Sequence, residues 1–126
     1  MYRVYVEKGF SSAHRLDGFV GGCERIHGHN WVIRCVVAGK RLDELGVLID
    51  FKLVDDILNA LVQQYDHSML NDLSLFSSIN PTAENIARVS FDHINSRINK
   101  AEKTDDIYLE EVVIYETQNM YASYKP

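Results

Sequence analysis

The sequence predicts an α+β domain in which a four-stranded antiparallel sheet carries two helices on one face. Three observations support this. Two segments near the N-terminus alternate apolar and polar residues, two central segments repeat apolar residues at helical spacing, and two further alternating segments end the chain. Strands and helices that are grouped in blocks are typical of α+β domains. The length of 126 residues fits a single domain, residues 1–126.

The composition is that of an ordinary globular chain, with 46% hydrophobic and 25% charged residues. A net charge of -5 argues against nucleic acid as a partner, because proteins that bind it usually carry a basic face. No apolar run approaches the roughly 20 residues of a membrane span, and Met1 leads directly into a strand pattern without the apolar core of a signal peptide. We therefore expect a cytoplasmic protein with reduced thiols and no membrane partner.

The first predicted strand runs from Tyr2 to His14 and ends in a histidine on its more apolar face. Taken alone, His14 is a core or rim histidine; two further histidines downstream also make it a candidate third metal ligand. A glycine-rich loop, Leu16 to Glu24, follows. It carries Cys23, and loops are where reactive side chains are usually presented.

The second predicted strand, His27 to Ala38, opens with two histidines one residue apart. Residues two apart on a strand point to the same face, so His27 and His29 project side by side. Such a pair suits one zinc ion, and a catalytic zinc site takes three protein ligands and leaves one position open. Cys23 is then a candidate nucleophile, base or metal ligand, whereas Cys35 follows the buried parity and is assigned no chemistry.

Two amphipathic helices follow, and each presents one apolar stripe that can cover the sheet. Asp50 is the predicted N-cap of the first helix, which continues to about Gln64. Thr82 is the predicted N-cap of the second helix, with Asn85 three residues later in an imperfect capping box. Both helices are therefore predicted to start at a side-chain cap.

An Asp66-His67 step lies between the two helices. On its own it is an ordinary polar loop. It is also the pattern of a general base whose imidazole is held in one tautomer by a carboxylate. The sequence leaves both interpretations open.

The third long strand, Ile107 to about Thr117, carries Glu116 on a face that is otherwise apolar. Most glutamates at strand ends are solvated. A minority bind a ligand, and the guanidine-like groups of purines and pterins match two carboxylate oxygens. A short strand, about Met120 to Tyr124, ends the predicted sheet.

A set of motifs in a fixed order makes the chain resemble a known family. They are Phe10-Ser11-Ser12-Ala13-His14, Cys23-x-x-x-His27-Gly28-His29, Ile49-Asp50-Phe51, Asp66-His67 with Leu70-Asn71-Asp72, Asn80-Pro81-Thr82-Ala83-Glu84, and Glu116-Thr117. Together they resemble the 6-pyruvoyltetrahydropterin synthase and 6-carboxytetrahydropterin synthase family over nearly the whole chain. The resemblance implies the tunnelling fold, or T-fold, which assembles into a barrel. It also implies a homo-oligomer, usually a hexamer of two stacked trimers.

The resemblance implies roles for individual residues. Three match the family's zinc ligands: His14, His27 and His29. Three match its catalytic residues: Cys23, Asp66 and His67. Three match residues that bind or line the pterin pocket: Glu116, Thr82 and Glu84. The family's sites lie between subunits, so Cys23 and His67 of one site can come from different chains.

The spacing of Cys23-x-x-x-His27 resembles that of the 6-carboxytetrahydropterin synthases. That branch converts 7,8-dihydroneopterin triphosphate to 6-carboxytetrahydropterin, with loss of triphosphate and acetaldehyde, in queuosine biosynthesis. The alternatives are a 6-pyruvoyltetrahydropterin synthase, a paralogue that cleaves the dihydroneopterin side chain, a non-catalytic zinc- or pterin-binding protein, and a cysteine hydrolase. The basic candidates for binding the triphosphate are Lys8, Arg15 and Arg25.

Overall fold

A computed structural model describes residues 1–126 and shows a five-stranded sheet with two helices packed against it. The elements are β1 (Tyr2–His14), β2 (His27–Gly39), α1 (Phe51–Tyr65), β3 (Ser68–Met69), α2 (Ala83–Ala101), β4 (Ile107–Thr117) and β5 (Met120–Tyr124). Two short 3₁₀ turns, Leu70–Asp72 and Ser74–Phe76, precede α2. The strand order is β3-β1-β2-β4-β5, so the predicted α+β class is confirmed.

The sheet has one strand more than the four that the sequence predicts. The extra strand, β3, pairs in parallel with β1 at Ser12 and Ala13. A strand of only two residues has no alternating pattern, so it leaves no periodic signal in the sequence. The other four strands pair antiparallel, as predicted.

The core lies between the sheet and the two helices. It is a cluster of 22 buried residues to which β1, β2, β4, α1 and α2 all contribute. On β1 the positions Phe10, Ser12 and His14 are buried, while Ser11 on the opposite face is exposed. The same alternation puts Trp31 and Ile33 of β2 into the core. The helices therefore cover the face of the sheet that carries His14.

Both predicted helix caps are confirmed. The Asp50 side chain accepts a hydrogen bond from the N–H of Lys52 at the start of α1. The Thr82 hydroxyl accepts one from the N–H of Asn85 at the start of α2. Neither helix is both long enough and apolar enough to cross a membrane.

The pairing of β1 with β2 positions the predicted site. The register places His14 opposite His27, and Ser12 opposite His29. Residues 15–26 connect the two strands beyond this point. The three histidines therefore meet at the open end of the β1–β2 pair, next to the segment that carries Cys23.

Candidate active site

Three histidines and a glutamate converge where β1 ends and β2 begins. One side-chain nitrogen or oxygen from each of His14, His27, His29 and Glu116 lies within 4.8 Å of the others. Nε2 of His14 is 2.9 Å from Nε2 of His27, and Nε2 of His29 is 3.2 Å from Oε1 of Glu116. The sequence groups the three histidines; the structure adds the glutamate to that group.

Glu116 reaches the histidines from β4. The pairing of β4 with β5 is irregular between Tyr115 and Thr117, on either side of Glu116. The pairing of β4 with β2 is regular over the residues just before Glu116, with Ile114 opposite Ile33 and Tyr115 opposite Val32. Alternation along β4 therefore puts Glu116 on the same face as Ile114, which is the face that carries Trp31 and His29.

The hydrogen bonds of two histidines fix which ring nitrogen faces the centre of the cluster. Nδ1 of His14 donates to the carbonyl oxygen of Pro81 at 2.7 Å, and Nδ1 of His27 donates to that of Arg25 at 2.8 Å. A carbonyl oxygen only accepts, so each Nδ1 carries the proton and each Nε2 presents a lone pair. Metal-binding histidines are commonly oriented in this way.

The cluster fits a metal cation. Two Nε2 lone pairs face each other across 2.9 Å, and a cation between them would relieve their repulsion. Nε2 of His29 is buried and makes no hydrogen bond, although Oε1 of Glu116 lies 3.2 Å away. An unsatisfied buried nitrogen is costly unless another partner, such as a metal ion, binds it. The four side chains therefore supply a suitable donor set.

An apolar floor favours the neutral form of His14 and His29. The Trp31 ring lies edge-on to His14 and His29, with centroid distances of 4.9 and 5.1 Å. Its Nε1–H donates to the carbonyl oxygen of Ser12 at 3.1 Å. Burial lowers the pKa of His14 and of His29. The neutral form is the one that binds a metal.

Asp66 and His67 form a contact pair anchored on β1. Nδ1 of His67 lies 3.0 Å from Oδ2 of Asp66. The N–H of Ser11 donates to Oδ1 of Asp66 at 2.8 Å, and the N–H of His67 donates to the carbonyl oxygen of Ser11 at 2.6 Å. The Ser11 N–H, together with His67, holds the pKa of Asp66 below its ordinary value. The carboxylate is therefore ionised and fixed at neutral pH.

The backbone of His67 is unusual, with a φ of +53° in a residue that is not glycine. Strained backbone of this kind concentrates at functional sites. Its side chain is 84% exposed. His67 and His29 line the same open cavity of about 670 Å³, along with Ser11 and Asn30. The pair therefore faces open space near the histidine cluster.

The remaining predicted site residues are not part of the histidine cluster. Cys23 is half-buried in the segment between β1 and β2. The hydroxyl of Thr82 is engaged as the α2 cap, and Glu84 is exposed in the first turn of α2. Cys35 is fully buried, and burial raises the pKa of its thiol to about 12.

The three basic residues predicted to bind the triphosphate differ in whether they form an ion pair within the chain. Nζ of Lys8 lies 2.8 Å from Asp55, and Nε of Arg15 lies 3.0 Å from Asp17. Arg25 is exposed and makes no ion pair. Of the three, Arg25 is therefore the one whose charge is not already matched within the chain.

Sequence reasoning missed the groups that orient two of the histidines. The carbonyls of Pro81 and Arg25 hold His14 and His27, and any residue type can supply a carbonyl. No side-chain pattern therefore marks these positions. The motif that contains Pro81 was the only available signal, and its composition does not reveal which backbone oxygen faces His14.

Comparisons with known proteins agree with this architecture. The family model for 6-pyruvoyl tetrahydropterin synthase matches residues 3–126. The 6-carboxy-5,6,7,8-tetrahydropterin synthase of Bacillus subtilis is 31% identical over 121 residues, which cover 92% of this chain and 80% of the relative. The enzyme of that name from Synechocystis is 39% identical over 92 residues, 69% of this chain and 70% of the relative.

A solved structure shows the same fold over the whole chain. The 6-pyruvoyl tetrahydropterin synthase of Caenorhabditis elegans aligns with a TM-score of 0.81 at 26% identity, covering 100% of this chain and 97% of that one. The family match and this structure both extend over the segments that carry the histidine cluster. The chain belongs to the 6-pyruvoyl tetrahydropterin synthase family.

Proposed function

We propose that this protein is a zinc-dependent 6-carboxy-5,6,7,8-tetrahydropterin synthase of the queuosine pathway. It converts 7,8-dihydroneopterin triphosphate and one water molecule to the 6-carboxy product, triphosphate and acetaldehyde. The water supplies the one oxygen that the carboxylate and acetaldehyde need beyond the two side-chain hydroxyls. The observation that carries the proposal is the convergence of His14, His27 and His29 on one point, in a chain whose relatives bear this enzyme's name.

Zn²⁺ is the proposed cofactor, with His14, His27 and His29 as its ligands. Three imidazole nitrogens are a donor set that zinc favours at a catalytic site. The ion supplies Lewis-acid chemistry, which acidifies substrate hydroxyls and the C–H next to a developing carbonyl. The bonds from Nδ1 of His14 and His27 to backbone carbonyls hold the rings in place for this purpose.

Proton transfer is assigned to Cys23 and to the Asp66–His67 pair. Cys23, as a thiolate, removes a proton from the substrate side chain, and a nearby cation lowers a thiol pKa. Asp66 accepts the Nδ1–H of His67, which leaves Nε2 of His67 free to take up and return a second proton. The redox change stays within the substrate, since the side chain loses the electrons that reduce the ring.

A second subunit is proposed to complete the site. His67 is 84% exposed in the single chain, whereas proton transfer is efficient where bulk water is excluded. A homo-oligomer would cover this residue, and a hexamer of two trimers follows the family pattern. Its site would combine the histidine cluster of one chain with groups of its neighbour.

Glu116 is proposed to bind the amide and amine of the pterin ring, with Thr82 and Glu84 nearby. Its position beside His29 also allows a fourth bond to the metal. The Glu116→Gln variant separates these roles, because glutamine keeps the size of the side chain and removes its charge. We expect an unchanged zinc content and a pterin Kd raised by about tenfold or more, since charge-assisted hydrogen bonds are stronger than neutral ones.

The readouts are zinc by elemental analysis and pterin binding by calorimetry. Glu110→Gln, on the same strand and paired with Arg3 outside the cluster, is the matched control. Zinc loss in Glu116→Gln alone would assign the carboxylate to the metal. An unaltered pterin Kd would remove it from the substrate pocket.

Formation of 6-pyruvoyltetrahydropterin is the second candidate, favoured by the structural similarity to the Caenorhabditis elegans enzyme of that name. Arg25, whose charge is unmatched within the chain, is the proposed contact for the triphosphate in either reaction.

Removing the metal tests the proposed chemistry. We expect a chelator to abolish the release of triphosphate from dihydroneopterin triphosphate, because the Lewis acid is lost. Stoichiometric Zn²⁺ should restore it and Mg²⁺ should not, since magnesium prefers oxygen ligands. Anion-exchange chromatography measures the triphosphate that is released. Full activity in metal-free protein would contradict the zinc proposal.

A further inference from the structure

Two asparagine side chains form paired hydrogen bonds with the backbone immediately after His14. Oδ1 of Asn71 accepts the N–H of Arg15 at 2.9 Å, and its Nδ2 donates to the carbonyl oxygen of the same residue at 3.0 Å. Asn80 repeats this arrangement two residues later, with both bonds to Asp17 at 2.9 Å. Each side-chain amide therefore acts as a neighbouring peptide would in a sheet.

The backbone groups of Leu16, which lies between Arg15 and Asp17, point to the opposite edge of this segment. Successive residues of an extended chain point their backbone groups to opposite edges. The N–H of Leu16 accordingly donates to the carbonyl oxygen of Cys23 at 2.7 Å. The backbone of residues 15–17 thus connects the two asparagines on one edge with Cys23 on the other.

The two asparagines belong to the motifs Leu70-Asn71-Asp72 and Asn80-Pro81-Thr82, and the proposed chemistry gives neither asparagine a role. Pro81, next to Asn80, supplies the carbonyl that orients His14. The carbonyl oxygen of Asn80 in turn accepts a hydrogen bond from Nδ2 of Asn85 in α2. One segment, anchored on α2, therefore holds both a proposed zinc ligand and the backbone that leads to the thiol.

We propose that Asn71 and Asn80 are positioning residues that set the place of Cys23 through the backbone of Leu16. The inference rests on the proposed catalytic role of Cys23. Asparagine suits this task because its amide offers one donor and one acceptor in the geometry of a peptide. Aspartate at either position would turn a carboxylate oxygen toward a carbonyl oxygen and lose one bond of each pair.

Alkylation of Cys23 tests the proposal without depending on turnover. Cys35 is fully buried and serves as an internal thiol that iodoacetamide does not reach in the folded protein. In Asn71→Ala and Asn80→Ala we expect the Cys23 labelling rate to rise by about fivefold or more, because the freed backbone opens locally. Asn59→Ala, at an exposed position on α1, is the control and should label as the parent does.

Two further readouts separate positioning from general damage. The zinc content should stay unchanged, and the Leu16 amide should lose its protection against hydrogen exchange. In the enzyme assay kcat should fall by about tenfold while KM changes by less than about threefold, since small misplacements of a reacting group lower the rate rather than binding.

Unchanged Cys23 labelling with a protected Leu16 amide would overturn the proposal. Labelling of Cys35 as well would show that a variant has unfolded. In that case, hydrogen exchange in the unsubstituted protein tests the proposal, which requires the Arg15, Leu16 and Asp17 amides all to be protected. Free exchange of these amides would overturn the proposal. The labelling and exchange results do not depend on turnover. If the protein shows no synthase activity, they still test the positioning proposal, so its failure and the failure of the proposed function can be told apart.

Discussion

Replacing His27 by Ala is expected to remove most of the zinc and to lower turnover by roughly 10³-fold, because metal stabilisation of the transition state is worth several kcal/mol. His27 is the best of the three histidines to test. His14 is buried beneath the other rings, with a relative exposure of 1%, whereas His27 is only half-buried at the open end of the sheet. The His27 variant should therefore fold, so that metal loss is not a consequence of unfolding.

Elemental analysis of the purified variant measures the zinc content directly. His93→Ala is the matched control, because His93 lies on α2 outside the cluster. We expect it to keep about one zinc ion per chain, the stoichiometry of a three-histidine site. A His27 variant that retained full zinc would contradict the proposed ligand set, and one that lost zinc but kept its turnover would exclude a catalytic role for the ion.

The Cys23→Ala variant is expected to bind zinc normally and to turn over about 10²–10⁴-fold more slowly, which is the usual contribution of a positioned acid or base. Cys23 lies between His14 and His27 in the sequence, is only half-buried and is not part of the core cluster. Its removal should therefore leave the fold and the metal unchanged.

Cys35→Ala is the matched control for the loss of a thiol. Cys35 is part of the core, so its truncation should lower the free energy of unfolding by about 1 kcal/mol while kcat stays near that of the parent. Steady-state kinetics and thermal unfolding of both variants separate the two effects. Near-normal turnover in Cys23→Ala would remove the thiol from the mechanism.

The regular elements were predictable because their patterns are long. β1 alternates over 13 residues and β4 is a long, mostly apolar segment of 11, and their predicted ends agree with the structure. The caps at Asp50 and Thr82 mark the starts of both helices, since their side chains bond the first free amides. β3 was not predictable, because two residues carry no period and its pairing depends on where α1 delivers the chain.

The candidate site was predictable where side chains carry the chemistry. Strand parity alone brought His27 and His29 to one face. The contact of Glu116 with His29 was not predictable, because it depends on β4 pairing with β2 in one particular register, and the sequence does not mark that pairing. The hydrogen bonds of Asn71 and Asn80 were not predictable either, since their partners are backbone groups distant in sequence.

Product identification tests the proposed function most directly. Zinc-loaded protein would be incubated anaerobically with 7,8-dihydroneopterin triphosphate, and the products analysed by mass spectrometry. We expect 6-carboxytetrahydropterin together with acetaldehyde and triphosphate. A 6-pyruvoyl or a hydroxymethyl pterin in their place would contradict the proposed reaction, and an unchanged substrate would contradict catalysis altogether.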